Sequence, residues 1–213
     1  FNPHAKDISS LRIVQTAFKI ICFIGGIHTT VIGYENIPKD KPVLFIGNHR
    51  GFFDTIISYS MMPGITGFVA KKEIEKVPLL RVWMRYLHCL FLDRANIKEG
   101  LKTILKGIDE VKAGVSMVIF PEGTRNKGDG IMPFKEGSFK IAEKSGCLII
   151  PMVQNNTSAA FEDHFPFIRR THTIIEFGTP IDLTTLSKED RKAIGAYTHS
   201  IMLKMYEKNQ SLV

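Results

Sequence analysis

Cysteine is scarce in this chain, with three residues in 213. Cys22, Cys89 and Cys147 lie far apart and none has a partner at CxxC or CxxH spacing, which excludes a disulfide framework and a structural zinc site. The odd count and the lack of a cleavable signal pattern point to a reducing compartment. Long hydrophobic runs are also missing. The apolar stretch Ile20 to Ile27 falls well short of the roughly 20 residues a bilayer-spanning helix needs. There is no internal repeat, linker or low-complexity tract. With 44% hydrophobic and 23% charged residues, the composition excludes disordered, collagen-like and multi-span membrane classes. No GxSxG occurs, so a serine-hydrolase elbow is absent, and no recognisable nucleic-acid module is present.

What is abundant is positive charge. Twenty-eight Lys and Arg against 21 Asp and Glu leave a net charge of +7, which favours an anionic partner, whether a phosphate-bearing metabolite, a nucleic acid or an anionic membrane surface, and charge alone does not choose among them. The chain opens on Phe1 rather than Met, which leaves room for a targeting or anchoring segment ahead of it. Residues 8–25 read as a helix with Leu11, Val14, Ala17, Phe18, Ile21 and Ile24 on one face and Arg12, Gln15, Thr16 and Lys19 on the other. Such a basic amphipathic helix either docks on the domain's own core or lies in a membrane interface. Phe161, Phe165 and Phe167, followed by Arg169 and Arg170, form a second aromatic and basic cluster of the same kind.

Beyond this leader, short β-rich runs alternate with helical patterns. Strands are expected at 43–47, 67–70, 90–93, 117–120, 148–153 and 173–177, and helices near 53–62, 73–86, 98–112, 137–145 and 187–208. Several strands are continuously apolar, as buried sheet strands are. The alternation predicts one α/β domain with a largely parallel or mixed central sheet flanked by helices, plus the N-terminal amphipathic helix. The expected division is 1–30 for the helical segment and 31–213 for the α/β domain.

In such sheets ligands gather where strands end, and three segments lie there. His49 follows the first strand, with Asp54 five residues on at a helix start. If the turn folds back, the carboxylate orients the imidazole as a general base and stabilises the imidazolium that forms. In isolation this spacing is a weak signal and reads first as a helix cap beside a packed histidine. Asp93 and Arg94 end the third strand. Pro121-Glu122-Gly123-Thr124-Arg125 follows the fourth; there Gly123 lets backbone amides approach a ligand and Arg125 offers a planar fork to phosphate oxygens. Lys71, Lys72 and Lys135 add positive charge at the same edge.

Together these residues resemble the glycerolipid acyltransferase family. His49 with Asp54, Phe91-Leu92-Asp93-Arg94, Phe120-Pro121-Glu122-Gly123-Thr124-Arg125 and Ile149-Ile150-Pro151 occur in the order and rough spacing of that family's four motif blocks. The likeness is to the bacterial lysophosphatidate acyltransferases and spans about residues 43–181. Phe134 to Phe139 and Phe177 to Pro180 are similar too. The resemblance implies transfer of a fatty acyl group from an acyl thioester to the 2-hydroxyl of lysophosphatidate, giving phosphatidate. His49 and Asp54 would be catalytic, and Lys71, Arg94, Glu122, Gly123, Thr124 and Arg125 would bind the acceptor. Glu122 is expected to orient the acceptor or its arginine, and amides around Ile150 and Pro151 to face the oxyanion. No metal or redox cofactor is required, and acyl-CoA or acyl carrier protein (acyl-ACP) serves as donor substrate. The implied setting is a peripheral or monotopic position on the cytoplasmic face of an anionic membrane, with no nucleic-acid partner. Another lysophospholipid or glycerol 3-phosphate as acceptor, or a non-catalytic lipid-phosphate-binding protein, are the alternative readings. One departure bears on the acceptor: many members carry serine two residues after the motif histidine, where this chain has Gly51 preceded by Arg50.

Overall fold

The computed structural model describes residues 3–213, with side chains from residue 5 onward. Seven strands form one sheet: β1 (Ile27–Ile32), β2 (Val43–Gly47), β3 (Thr66–Lys71), β4 (Leu90–Leu92), β5 (Ser116–Ile119), β6 (Leu148–Asn155) and β7 (Thr171–Phe177). Their order is β1-β7-β6-β2-β5-β3-β4. β6, β2, β5, β3 and β4 are mutually parallel, while β7 runs antiparallel to β6 and carries β1 parallel to itself. The expected mixed sheet is therefore present. Because of this reversal, the starts of β1 and β7 lie at the same edge as the carboxyl ends of the other five strands.

Two hydrophobic layers sandwich the sheet, and β2 shows how one strand feeds both. Leu44 and Ile46 point into one layer with Ile108, Val111, Ile141 and Met202. Val43 and Phe45 point into the other with Leu11, Tyr59, Met62 and Phe68. This is the period-2 alternation of a strand buried on both faces. α4 (Ile97–Lys112), α5 (Lys140–Ser145) and α7 (Ile194–Gln210) thus cover one side. α1 (Pro3–Ile24), α2 (Phe52–Ser60) and the end of α3 (Pro78–Tyr86) cover the other. A short α6 (Lys188–Lys192) precedes α7.

Three expectations change. The division after residue 30 falls inside β1, which pairs with β7 from Ile27↔Thr171 to Ile32↔Glu176, so the leader is built into the sheet rather than set before it. The helix expected at 73–86 is a 3-10 turn over Lys72–Lys76 followed by α3, because Pro78 opens the new helix and holds Val77 extended at φ −89°, ψ 105°. Gln15, expected on the solvent face of α1, is 4% exposed and donates to the carbonyls of Tyr59 and Met62 at 3.3 and 2.8 Å. α2 ends there, and Gln15 supplies a donor to the Met62 carbonyl just past the helix and a further one to the Tyr59 carbonyl, which also accepts the Met62 N–H at 3.3 Å.

α1 consequently has two apolar faces. Leu11, Val14 and Phe18 pack on the core, Phe18 edge-on to Tyr59. Ile20, Phe23 and Ile24 face outward, the last two 86% and 78% exposed. Among the described residues no helix is long and apolar enough to cross a membrane.

Candidate active site

β2 is buried throughout and delivers its chain to the carboxyl edge. There Asn48 laces the exit to β6, its amide donating to the Gln154 carbonyl at 2.8 Å and its oxygen accepting the Gln154 N–H at 2.7 Å. The turn that follows carries His49 and folds back on Asp54. His49 Nδ1 lies 2.7 Å from Asp54 Oδ2, and the carboxylate is fully buried. Oδ2 also accepts the backbone N–H groups of Arg50 and Gly51 at 2.6 and 2.7 Å. Oδ1 accepts the hydroxyl of Thr157. Asp54 stands at the third position of α2, so its bond to the Gly51 N–H is the carboxylate half of a capping box; glycine has no side chain with which to return the other half. The cap reading and the orienting reading are therefore both met by one carboxylate.

Asp54 Oδ2 can only accept from the ring nitrogen it faces, so the hydrogen of a neutral imidazole sits on Nδ1, which leaves Nε2 as a bare base. The ring is stacked on Phe120, with centroids 4.4 Å apart and planes 12° apart, and its side chain keeps 21% exposure. His49 is thus fixed in orientation yet open to a reacting hydroxyl.

The loop after β5 holds the same turn from the other side. Glu122, 4% exposed, accepts the His49 N–H at 2.7 Å through Oε1 and the Met132 N–H at 3.0 Å through Oε2. Burial raises its carboxyl above the ordinary range, and the two N–H bonds pull against that shift. The Asn126 N–H donates to the His49 carbonyl at 2.7 Å. Glu122 was expected to orient the acceptor or an arginine, but both its oxygens bind backbone amides, and its place is to position His49.

The other expected binding residues divide. Arg125 reaches the site: its Nη1 lies 3.3 Å from Glu162 Oε1 and its guanidinium carbon 4.5 Å from the centroid of the Phe52 ring, beside the start of α2. Arg94 crosses from β4 to donate to the Gly123 carbonyl, tying that loop to the sheet's edge strand. Gly123 adopts φ 76°, where L side chains are strained, and the Lys135 amine lies close above it. Thr124 is exposed in the same loop. Lys71 ends β3, two strands from β2, where Glu73 pairs with it at 2.9 Å. Lys72 is likewise paired with Asp93 at 3.0 Å. The Ile149-Ile150-Pro151 block lies inside β6, in register with Leu44, Phe45 and Ile46. Ile150 is fully buried there and proline carries no N–H, so no oxyanion donor comes from this block. Thr157 and Glu162 were not anticipated, since each meets the turn across more than a hundred residues of chain.

A dyad with a bare nitrogen at a sheet's carboxyl edge, beside an arginine, suits deprotonation of a hydroxyl on an anionic substrate. Comparison with known proteins agrees. The family described as Acyltransferase matches residues 28–155. The chain is 29% identical over 198 residues to the 1-acyl-sn-glycerol-3-phosphate acyltransferase of Borreliella burgdorferi, spanning 93% of this chain and 79% of that protein. It is 32% identical over 205 residues to the protein of the same name from Haemophilus influenzae, spanning 93% and 82%. The crystal structure of the 1-acyl-sn-glycerophosphate acyltransferase PlsC from Thermotoga maritima has the same fold, with a TM-score of 0.82, 24% identity and coverage of 94% of this chain and 79% of that one.

Proposed function

The chain belongs to the acyltransferase family, and from that premise we propose that it moves a fatty acyl group from an acyl thioester to the 2-hydroxyl of 1-acyl-sn-glycerol 3-phosphate, giving phosphatidate. The observation that carries this reading is the His49–Asp54 pair at 2.7 Å, with the carboxylate buried and the imidazole side chain still 21% exposed. Nε2 takes the hydroxyl proton as the oxygen attacks the thioester carbonyl. A C–O bond forms, the C–S bond breaks, and the thiolate leaves with the proton held by the imidazolium. Asp54 stabilises that cation, and among the described residues its own hydrogen-bond partners are the imidazole, two backbone N–H groups and the Thr157 hydroxyl, none of them a Lys or Arg side chain. Arg125 grips the acceptor phosphate, and binding energy from this non-reacting group positions the hydroxyl. Coenzyme A or acyl carrier protein brings the acyl group.

Because acceptor and product are lipids, the reaction belongs at a membrane surface, and on the cysteine usage at its cytoplasmic face. Ile20, Phe23 and Ile24 of α1 support this, together with Phe165, Phe167 and Ile168, which are 75%, 66% and 48% exposed. The two groups adjoin: the Thr171 N–H donates to the Gly26 carbonyl, and Ile168 borders Gly25. Both stand at the carboxyl edge of the sheet, the edge that carries His49. Arg169 and Arg170 follow directly and suit anionic headgroups.

The test is a panel assay. Purified protein is incubated with lysophosphatidate, lysophosphatidylcholine, lysophosphatidylethanolamine and glycerol 3-phosphate against palmitoyl-CoA and palmitoyl-ACP, and products are identified by mass spectrometry. Phosphatidate from lysophosphatidate is expected. Acylation of another acceptor in preference, or of none, refutes the assignment.

A further inference from the structure

The proposed reaction gives Glu162 no task, yet Glu162 stands in the site. Its Oε1 accepts the N–H of Phe52, the first residue of α2, at 2.7 Å, and lies 3.3 Å from Arg125 Nη1. Its Oε2 is buried with no hydrogen-bond partner among the described residues. A buried carboxylate oxygen left unsatisfied carries a cost, so the charge is held by what faces Oε1: a guanidinium and the positive end of a nine-residue helix.

Space for it comes from an unusual position in the sequence. A Cβ added at Gly51 would meet Glu162 Oε2 and stand 2.6 Å from its carboxyl carbon. A side chain at 51 and the Glu162 carboxylate therefore exclude one another. Gly51 has φ −158°, ordinary extended backbone, so its conformation does not call for glycine. Its neighbour does.

A carboxylate lying across a guanidinium and a helix N-terminus takes up the contacts a phosphate monoester would make there. We propose that Glu162 is an internal anion that occupies the acceptor-phosphate position of the free protein and is displaced when the acceptor binds. The proposal rests on the reading of Arg125 given above. Binding exchanges one anion for another on Arg125 and on the Phe52 N–H, with no covalent change. An incoming phosphate must outcompete a carboxylate. A phosphate monoester, with its second negative charge, succeeds where a zwitterionic phosphodiester is held off, so Glu162 acts as a specificity residue through competition rather than contact.

Glu162→Gln in the full chain separates this from a structural role. The amide oxygen keeps an acceptor for the Phe52 N–H, while the charge that occupies Arg125 is lost. KM for lysophosphatidate should fall about two- to fivefold, the scale of a partly exposed ion pair, with the change in KM rather than kcat. Discrimination against lysophosphatidylcholine should narrow by a similar factor. Independently of turnover, glycerol 3-phosphate should raise the thermal midpoint of Glu162→Gln more than that of the wild type at equal concentration. Gly51→Ala, which forces the carboxylate out, should enlarge the same ligand-induced shift. If Glu162 only steadies Arg125 and α2, Glu162→Gln raises KM and shrinks the shift, and the proposal is overturned. Arg125→Ala distinguishes the two layers of the argument. A glycerol 3-phosphate shift that survives Arg125→Ala defeats the Arg125 reading and this proposal with it. A shift that depends on Arg125 but does not grow in Glu162→Gln or Gly51→Ala defeats this proposal alone.

Discussion

Replacing Asp54 by Asn tests the dyad more sharply than removing it, because the structure says which interactions survive. With the amide oxygen in the place of Oδ2, the N–H groups of His49, Arg50 and Gly51 keep an acceptor, and the amide nitrogen can donate to the Thr157 hydroxyl. Geometry and tautomer are retained, and what disappears is the charge. Three donors facing a neutral instead of an ionised acceptor cost about 1 kcal/mol each. The thermal midpoint should then drop by roughly 6–12 °C for a chain of this size. For catalysis, a full imidazolium 2.7 Å from the carboxylate gains about 6 kcal/mol at an effective dielectric constant of ~20. With the proton half transferred in the transition state, about 3 kcal/mol is at stake, or on the order of 10²-fold in kcat. Turnover should be measured well below the lowered midpoint, with circular dichroism as the control for folding and acceptor KM alongside. His49→Ala should cost at least as much, and Asp54→Asn added to His49→Ala should cost nothing further, since Asp54 acts through the ring. A folded Asp54→Asn protein within about fivefold of wild-type kcat, ~1 kcal/mol of barrier, refutes the mechanism; so does a further loss in the double variant.

Arg125→Lys keeps the charge but loses the planar fork, so it should impair lysophosphatidate acylation while leaving an uncharged monoacylglycerol acceptor unaffected; equal effects on both acceptors would show that Arg125 does not read phosphate. His88 joins α1 to α4 through Asp7 at 3.0 Å and Glu110 at 2.9 Å. Burial lowers its basicity, but the two carboxylate bonds outweigh it and the net shift is upward. A raised folded value means the clasp stabilises fully below the free-histidine value and fades as pH rises through the folded one. His88→Asn, which tolerates the φ of 56° at this position, should therefore lose about 1–2 kcal/mol at pH 6 and much less at pH 9, and a pH-independent loss in thermal scans counts against the clasp. For membrane contact, Phe23→Glu and Ile24→Glu should leave stability within about 0.5 kcal/mol yet reduce liposome flotation, more so on anionic vesicles at low salt. Leu11→Ala, at 1% exposure, should instead cost about 2–5 kcal/mol and shift unfolding rather than flotation.

The strands most legible in the sequence were those whose apolar residues run without interruption. The strand expected at 43–47 has its observed bounds because a strand buried on both faces needs no polar alternation. β1 is hidden in the sequence for the opposite reason. Its Ile-His-Thr-Thr-Val-Ile run is half exposed at the sheet's edge, and it follows so closely on an apolar helix that the two read as one leader. Its β-branched residues were the available signal. The break at Val77-Pro78 was also written locally, as was the helix start at Asn96, whose side chain accepts the N–H groups of Lys98 and Glu99. The burial of Gln15 was not local, since its acceptors belong to the end of another helix.

The site divides along the same line. His49, Asp54, Glu122 and Arg125 sit on two short stretches whose spacing already suggested chemistry, and strands β2 and β5 are sheet neighbours, so proximity followed once the sheet existed. Roles did not follow from spacing. Glu122 has the composition of a ligand-binding residue and the contacts of a scaffold residue, a difference set by which amides reach its oxygens. Gly51 is the converse. In the sequence it is a missing hydroxyl, a gap in a motif. In the structure that gap has a shape, and a carboxylate from 111 positions later in the chain (162 − 51) fills it. The absence at 51 and the presence at 162 are one feature of the site, and neither has a physical meaning until the fold sets the loop after β6 against the start of α2.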